Sequence, residues 1–273
     1  MERRLGNGAE PRTVDRGDGP VVLLAHGFPL DHRMWEGQIA VLSAQYRVVA
    51  PDLRGFGASA GKTETALSKP AGEPATMDQM ADDLAALLDA KEIFEPIVLA
   101  GLSMGGYVAL SFWRRHADRL RALVLCDTRA EADTPETAAA RRRTADRAAR
   151  EGTAFLCDDM LPRLLAAPTF EQSPEVVALA RRMILEAPPL AVAAAALGMA
   201  ARPDATAWLP RIDCPALLVV GGEDAITPPA SMRAMARSMP RARVVEIPGA
   251  GHLAPLERPA EFNAALLDFL ATL

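Results

Sequence analysis

Cysteine is scarce: Cys126, Cys157 and Cys214 are the only three in 273 residues, far apart and without a C-x-x-C spacing. That excludes a disulfide framework and a zinc site, and leaves three core thiols as the expectation. An excess of positive charge is also missing, since 30 Lys and Arg stand against 35 Asp and Glu for a net charge of −5. The chain therefore lacks the electrostatic footprint of a nucleic-acid or anionic-lipid binder. No apolar run approaches membrane-spanning length. Residues 1–20 carry early Arg and then Gly, Glu and Asp where a signal peptide needs an apolar stretch, so a cytoplasmic location is expected. No internal repeat stands out. What is present is half apolar and 24% charged, enough for a globular α/β domain with a sizeable core and a small molecule as its partner. Monomer and homo-oligomer both remain open.

Short continuous apolar runs bounded by turn residues read as strands buried on both faces of a parallel sheet. They predict strands at 21–25, 47–50, 97–100, 122–125, 216–220 and 244–247. Helical patterns lie between them. Thr76 with Gln79 forms a capping box, after which Met77, Met80, Leu84, Leu87 and Leu88 line one helix face. Pro259 opens a C-terminal helix carrying Phe262, Leu266, Phe269 and Leu270 at helical spacing. The alternation specifies a mostly parallel, doubly wound α/β sheet with its site beyond the carboxyl ends of the strands. From Ala130 to Trp208 no strand-like run occurs, and helical patterns at 141–150, 158–165 and 176–185 predict an inserted helical cap over that site. The expected division is a core of 1–129 and 209–273 with a cap of 130–208. Residues 60–75, rich in Gly, Pro, Lys and Thr, read as an exposed loop.

Gly101-Leu102-Ser103-Met104-Gly105 is a G-x-S-x-G run between a predicted strand and a predicted helix, the context in which this pattern lifts a serine above the sheet edge. A serine hydroxyl needs a base, and the base needs a carboxylate to orient it. Of four histidines, His116 ends the helix after Ser103 and reads as a surface residue, His26 reads as loop-shaping, and His32 precedes the serine. His252, in Pro248-Gly249-Ala250-Gly251-His252 after the last strand, is the preferred base, in the chain order Ser, acid, His. For the acid, Asp224 and Asp127 both stand at strand ends. Asp224 is preferred for its glycine turn on the strand before His252, with Glu223 a further competitor. Asp52 is expected to pair with Arg54. The oxyanion needs two fixed N–H donors, each worth roughly 3–4 kcal/mol of barrier. Met104 follows the nucleophile, and in His26-Gly27-Phe28-Pro29 the Phe28 N–H is free while Pro29 has none.

These motifs resemble the α/β-hydrolase superfamily over nearly the whole chain. They are similar to its small capped carboxylesterases, close to cofactor-free haloperoxidases and enol-lactonases. The run Leu102-Ser103-Met104-Gly105-Gly106-Tyr107 and the later Leu125-Cys126-Asp127-Thr128-Arg129 look most like thermophilic short-chain carboxylesterases. The resemblance implies the α/β-hydrolase fold, Ser103, Asp224 and His252 as a triad, and Phe28 with Met104 as oxyanion donors. Serine at the nucleophile position argues against dehalogenases and epoxide hydrolases of this fold, which place aspartate there.

The expected activity is hydrolysis of short-chain carboxylic esters through an acyl-serine, with no metal and no organic cofactor. The alternatives are a perhydrolase, a lactonase, or a ligand-binding protein on a hydrolase fold. Tyr107 and His32 are the candidate substrate-binding residues, beside an acyl pocket without a fixed charge; His32 and Trp35 read equally as the start of a helix. Arg141, Arg142, Arg143, Arg147 and Arg150 point around a helix and read as a solvated cap face rather than an anion site.

Overall fold

Strands whose two faces are both covered must be apolar at every position, and the predicted runs take that form except at Arg47 and Glu246. The run at 244–247, expected to be buried on both faces, instead lies on a half-exposed edge strand, where a charged residue costs little. The structure, a computed structural model, describes residues 13–57 and 73–273. Seven strands are described: β1 (Thr13–Arg16), β2 (Val21–Ala25), β3 (Arg47–Pro51), β4 (Ile97–Leu102), β5 (Leu120–Cys126), β6 (Ala216–Gly221) and β7 (Ala242–Ile247). They lie in the order β1-β3-β2-β4-β5-β6-β7. Every neighbour pair is parallel except β1 with β3. This is the doubly wound sheet the alternation specified. Strand β1 escaped it, because Thr-Val-Asp-Arg is a polar, half-exposed edge segment with no apolar run to signal it. The central strands are fully buried, with all six residues of β4 and all six of β6 inside.

Helix α1 (Glu36–Leu42) follows β2, and α2 (Met77–Ala90) opens on the complete Thr76–Gln79 capping box. Helix α3 (Met104–His116) begins directly behind Ser103. Between β5 and β6 comes the cap: α4 (Pro135–Glu151), α5 (Phe155–Leu164), α6 (Ala167–Gln172), α7 (Pro174–Glu186) and α8 (Pro189–Ala200). The last of these had no legible face, because it is apolar or small all round and buried, as such helices are. Helices α9 (Pro229–Arg237), α10 (Ala254–Glu257) and α11 (Pro259–Leu270) complete the chain. Among described residues no single helix is long and apolar enough to cross a membrane.

Three expectations need correction. The loop reading for 60–75 falls mostly outside the described residues, but Ala75 is buried rather than exposed and its N–H donates to the Ala194 carbonyl at 2.9 Å. That bond docks the entrance of α2 on the cap. Arg54 does not pair with Asp52: its Nε donates to Asp83 of α2 at 2.8 Å, while Asp52 accepts from His32. Arg141 is not solvated either. It is half-buried on Asp133, which also holds the buried Arg202 at 2.7 Å, so one carboxylate joins the two ends of the cap. Of the three thiols, Cys126 and Cys157 are buried and Cys214 is half-buried.

Candidate active site

Strands β4, β5, β6 and β7 are adjacent and parallel, so whatever follows each of them collects along one edge of the sheet. Ser103 follows β4, Asp127 follows β5, Asp224 lies three residues past β6, and His252 lies five past β7. Ser103 sits at φ +54° and ψ −109°, a backbone region that costs a non-glycine residue about 1–3 kcal/mol. Its neighbours hold it there. The Ser103 N–H donates to the Cys126 carbonyl at 2.9 Å, and the Thr128 hydroxyl donates to the Ser103 carbonyl at 2.8 Å. Glycine is required at 105 and 106 because an added Cβ would run into the Ala25 carbonyl and the Thr128 side chain, respectively. The tight turn therefore presses α3 directly against β2 and the β5 loop.

Asp224 and His252 are both buried, and His252 Nδ1 lies 2.8 Å from Asp224 Oδ2. The two carboxylate oxygens have different partners. Oδ1 accepts the amides of Ile226 and Thr227 at 2.7 and 2.9 Å, whereas Oδ2 takes His252 and the Thr227 hydroxyl. Burial opposes ionisation of Asp224, but the hydrogen bond and charge of His252 together with the Thr227 donors outweigh it and bring the pKa down to about 2. Asp127 is the opposite case. Burial pushes its carboxyl well above the usual range, and repulsion from Asp224 adds to the rise. Among the described residues only the Gly221 amide, at 2.8 Å, favours its ionised form, and its Oδ2 is buried without a donor. Two buried carboxylates with oxygens within 4.8 Å of one another repel each other's charge, which favours the proton on Asp127 and the charge on Asp224. The glycine turn does the rest: Glu223 donates its amide to the Ala250 carbonyl at 2.8 Å, locking the two loops together with the Glu223 side chain exposed.

The other predicted residues are placed as follows. Phe28 lies in the loop after β2 and Met104 at the first position of α3, and among the described residues their N–H groups meet no protein acceptor. Gly27 brings that loop against the serine turn: a Cβ there would lie 3.6 Å from Ser103 Cβ. His26 shapes the loop, its Nδ1 on the Gly27 carbonyl at 2.9 Å and its Nε2 accepting the Leu53 amide at 2.8 Å. Burial lowers its pKa and keeps it neutral. His32 starts a short 3-10 helix, with Nδ1 2.6 Å from Asp52 and only part of the ring exposed. Tyr107 is buried one turn after Ser103 under the Arg202 guanidinium, 4.0 Å above its ring. It lines a small cavity with Ser111, Arg129, Arg202 and Trp208, at the stem of the cap. His116 ends α3 as expected but is tied to Asp82 of α2 at 2.8 Å.

Glu257 carries no sequence motif of the kind that singled out Ser103, yet it is buried against the His252 loop. Its Oε1 accepts the amides of Gly251 and Leu253, and its Oε2 accepts the Ala166 amide and the Thr169 hydroxyl. Among the described residues two groups have the donor types for a cation, Asp31 with His32 and Asp52, and Asp127 with Asp224 and His252, their ligand atoms within 4.8 Å. In each, the imidazole Nδ1 is already engaged by a carboxylate.

The chain is similar to known proteins over most of its length. The alpha/beta hydrolase fold family model matches residues 20–259. A thermophilic esterase from Thermogutta terrifontis superposes with a TM-score of 0.90 at 50% identity, over 96% of this chain and 93% of that one. The enol-lactonase from Burkholderia xenovorans superposes with a TM-score of 0.85 at 30% identity, over 97% and 100%. A pimeloyl-(acyl-carrier protein) methyl ester esterase from Chromobacterium violaceum is 31% identical, over 94% of this chain and 96% of that one.

Proposed function

Because the chain belongs to the alpha/beta hydrolase fold family, we propose that its strand-end cluster is a serine esterase site that hydrolyses short-chain carboxylic esters. The observation that carries this is the buried Asp224–His252 pair, 2.8 Å long, beyond the ends of β6 and β7, in the same parallel sheet as the strand that leads into the serine turn. Ser103 attacks the ester carbonyl while His252 Nε2 takes its proton. Asp224 holds the Nδ1 proton and stabilises the imidazolium that forms. The N–H groups of Phe28 and Met104, which have no protein acceptor among the described residues, receive the oxyanion. His252 then protonates the leaving alcohol, and a water that it deprotonates releases the acid. Every proton in the cycle passes through one imidazole, so the chemistry calls for neither a metal nor an organic cofactor.

The similar thermophilic esterase favours an open-chain ester. A second reading, opening of a cyclic ester, uses the same steps and is favoured by the enol-lactonase likeness. The test is initial rates on p-nitrophenyl acetate, butyrate, octanoate and palmitate and on γ-butyrolactone, with Ser103→Ala alongside. Turnover that peaks at short acyl chains and falls to background in Ser103→Ala is expected. Ester turnover that survives the substitution would overturn the proposal. Turnover of the lactone alone would select the second reading.

A further inference from the structure

A base on a glycine loop needs something to hold it. His252 sits between Gly251 and Leu253 in Gly249-Ala250-Gly251-His252, a stretch whose own residues offer little restraint. The Glu223 amide holds the Ala250 carbonyl ahead of the imidazole, and the restraint on either side of it comes from Glu257, a side chain only 3% exposed at the end of α10. Its Oε1 accepts the N–H on either side of the imidazole residue, from Gly251 at 2.8 Å and from Leu253 at 3.2 Å. Its Oε2 faces away from the loop, into the cap, and accepts the Ala166 N–H at 2.7 Å and the Thr169 hydroxyl at 2.6 Å. Ala166 caps α6 and Thr169 lies in its first turn, so both belong to the α5–α6 corner. The same two segments touch elsewhere: the Leu253 N–H also reaches the Leu164 carbonyl at 3.2 Å, and a Cβ on Gly251 would lie 2.6 Å from the Ala166 nitrogen. Burial pushes the Glu257 carboxyl up, and the four donors, each favouring the ionised form, oppose that rise.

We infer that Glu257 is a positioning residue for His252, and that by holding the α5–α6 corner with its other oxygen it makes seating of the cap and placement of the base a single event. This rests on the reading of His252 as the base. The acceptor count separates the variants. Glu257→Ala frees both the loop and the cap corner. Glu257→Asp keeps the carboxylate but withdraws it by one methylene, too short to reach both sets of donors. Glu257→Gln is different, because its one oxygen can stay on the Gly251 and Leu253 amides while its NH2 group turns to the Thr169 hydroxyl, which can reverse and accept. Only the Ala166 N–H then loses its partner.

The experiment measures kcat and KM on p-nitrophenyl butyrate, together with the downfield proton resonance of the imidazole N–H shared by Asp224 and His252, for the wild type and the three variants. Misplacing a reacting group by about 1 Å can cost on the order of 100-fold. Glu257→Ala should therefore lose roughly that factor in kcat. KM should change little, because Ser103 and the Phe28 and Met104 amides sit on other loops. The downfield proton should broaden or vanish, and Glu257→Gln should recover most of both. If Glu257→Ala does not fold, Glu257→Asp carries the test, with a loss of roughly 10-fold in kcat as the smaller displacement requires. A folded Glu257→Ala or Glu257→Asp with wild-type kcat and an intact downfield proton would overturn the inference. So would a loss confined to KM. Ser103→Ala and His252→Ala in the same assay test the underlying reading separately. If either keeps wild-type turnover, that reading fails whatever Glu257 does; if both are inactive and Glu257→Asp is not impaired, only the inference fails.

Discussion

Replacing Asp224 by asparagine changes one atom and reverses a tautomer. Oδ1 accepts two backbone amides, from Ile226 and Thr227, and neither can turn away. The amide oxygen of the introduced asparagine must stay at that position, which places its NH2 group where Oδ2 now meets His252 Nδ1. A donor facing Nδ1 requires Nδ1 to be the acceptor, so the imidazole proton moves to Nε2, the atom that has to take the serine proton. In the serine-protease template the same substitution costs about 10⁴ in kcat, or about 5 kcal/mol of barrier. A loss of that order is expected here, with KM nearly unchanged. Asp127→Asn is the matched control. Asp127 is already neutral, and asparagine keeps an oxygen for the Gly221 amide while turning an NH2 donor to the side where Oδ2 now has no partner. Its kcat should stay within about 10-fold of wild type, and its stability at neutral pH should not fall. Rates on p-nitrophenyl butyrate, with circular dichroism to check folding, decide it. A mild Asp224→Asn and a dead Asp127→Asn would move the acid to β5 and refute the tautomer argument.

Two further outcomes follow from the same geometry. Gly106→Ala would press a methyl group into Thr128, whose Cβ and Cγ2 would lie 2.6 Å away and whose hydroxyl holds the Ser103 carbonyl. It should destabilise by about 1–3 kcal/mol and lower kcat, and an unchanged thermal midpoint with full activity would refute the packing argument. The depressed Asp224 pKa, about 2 against an ordinary 3.8, makes ionised Asp224 a stabilising group above its unfolded pKa. That contribution, about 2 kcal/mol, is lost as pH falls from about 4 through 2. Urea midpoints should therefore fall more steeply over this window in the wild type than in Asp224→Asn, and parallel curves would contradict it.

Much of the architecture was legible because burial on both faces leaves a mark on a strand: β2, β4 and β6 are unbroken apolar runs. The serine turn was legible because its glycines have no room for a Cβ. Edge strand β1 and helix α8 were not, the first being polar and the second apolar or small on every side, so neither shows a period.

What the sequence by itself determined is the order of the chemistry along the chain: a serine after one strand, carboxylates after the next two, a histidine after the last. It preferred Asp224 to Asp127 only for its glycine turn, since both are aspartates at strand ends in the right order. The tertiary structure separated them through their surroundings, four donors around one carboxylate and a single amide with an orphaned oxygen at the other. Glu257 was invisible for the same reason. Its meaning lies in four donors at positions 166, 169, 251 and 253, and no local pattern encodes where a folded cap will set down a hydrogen bond.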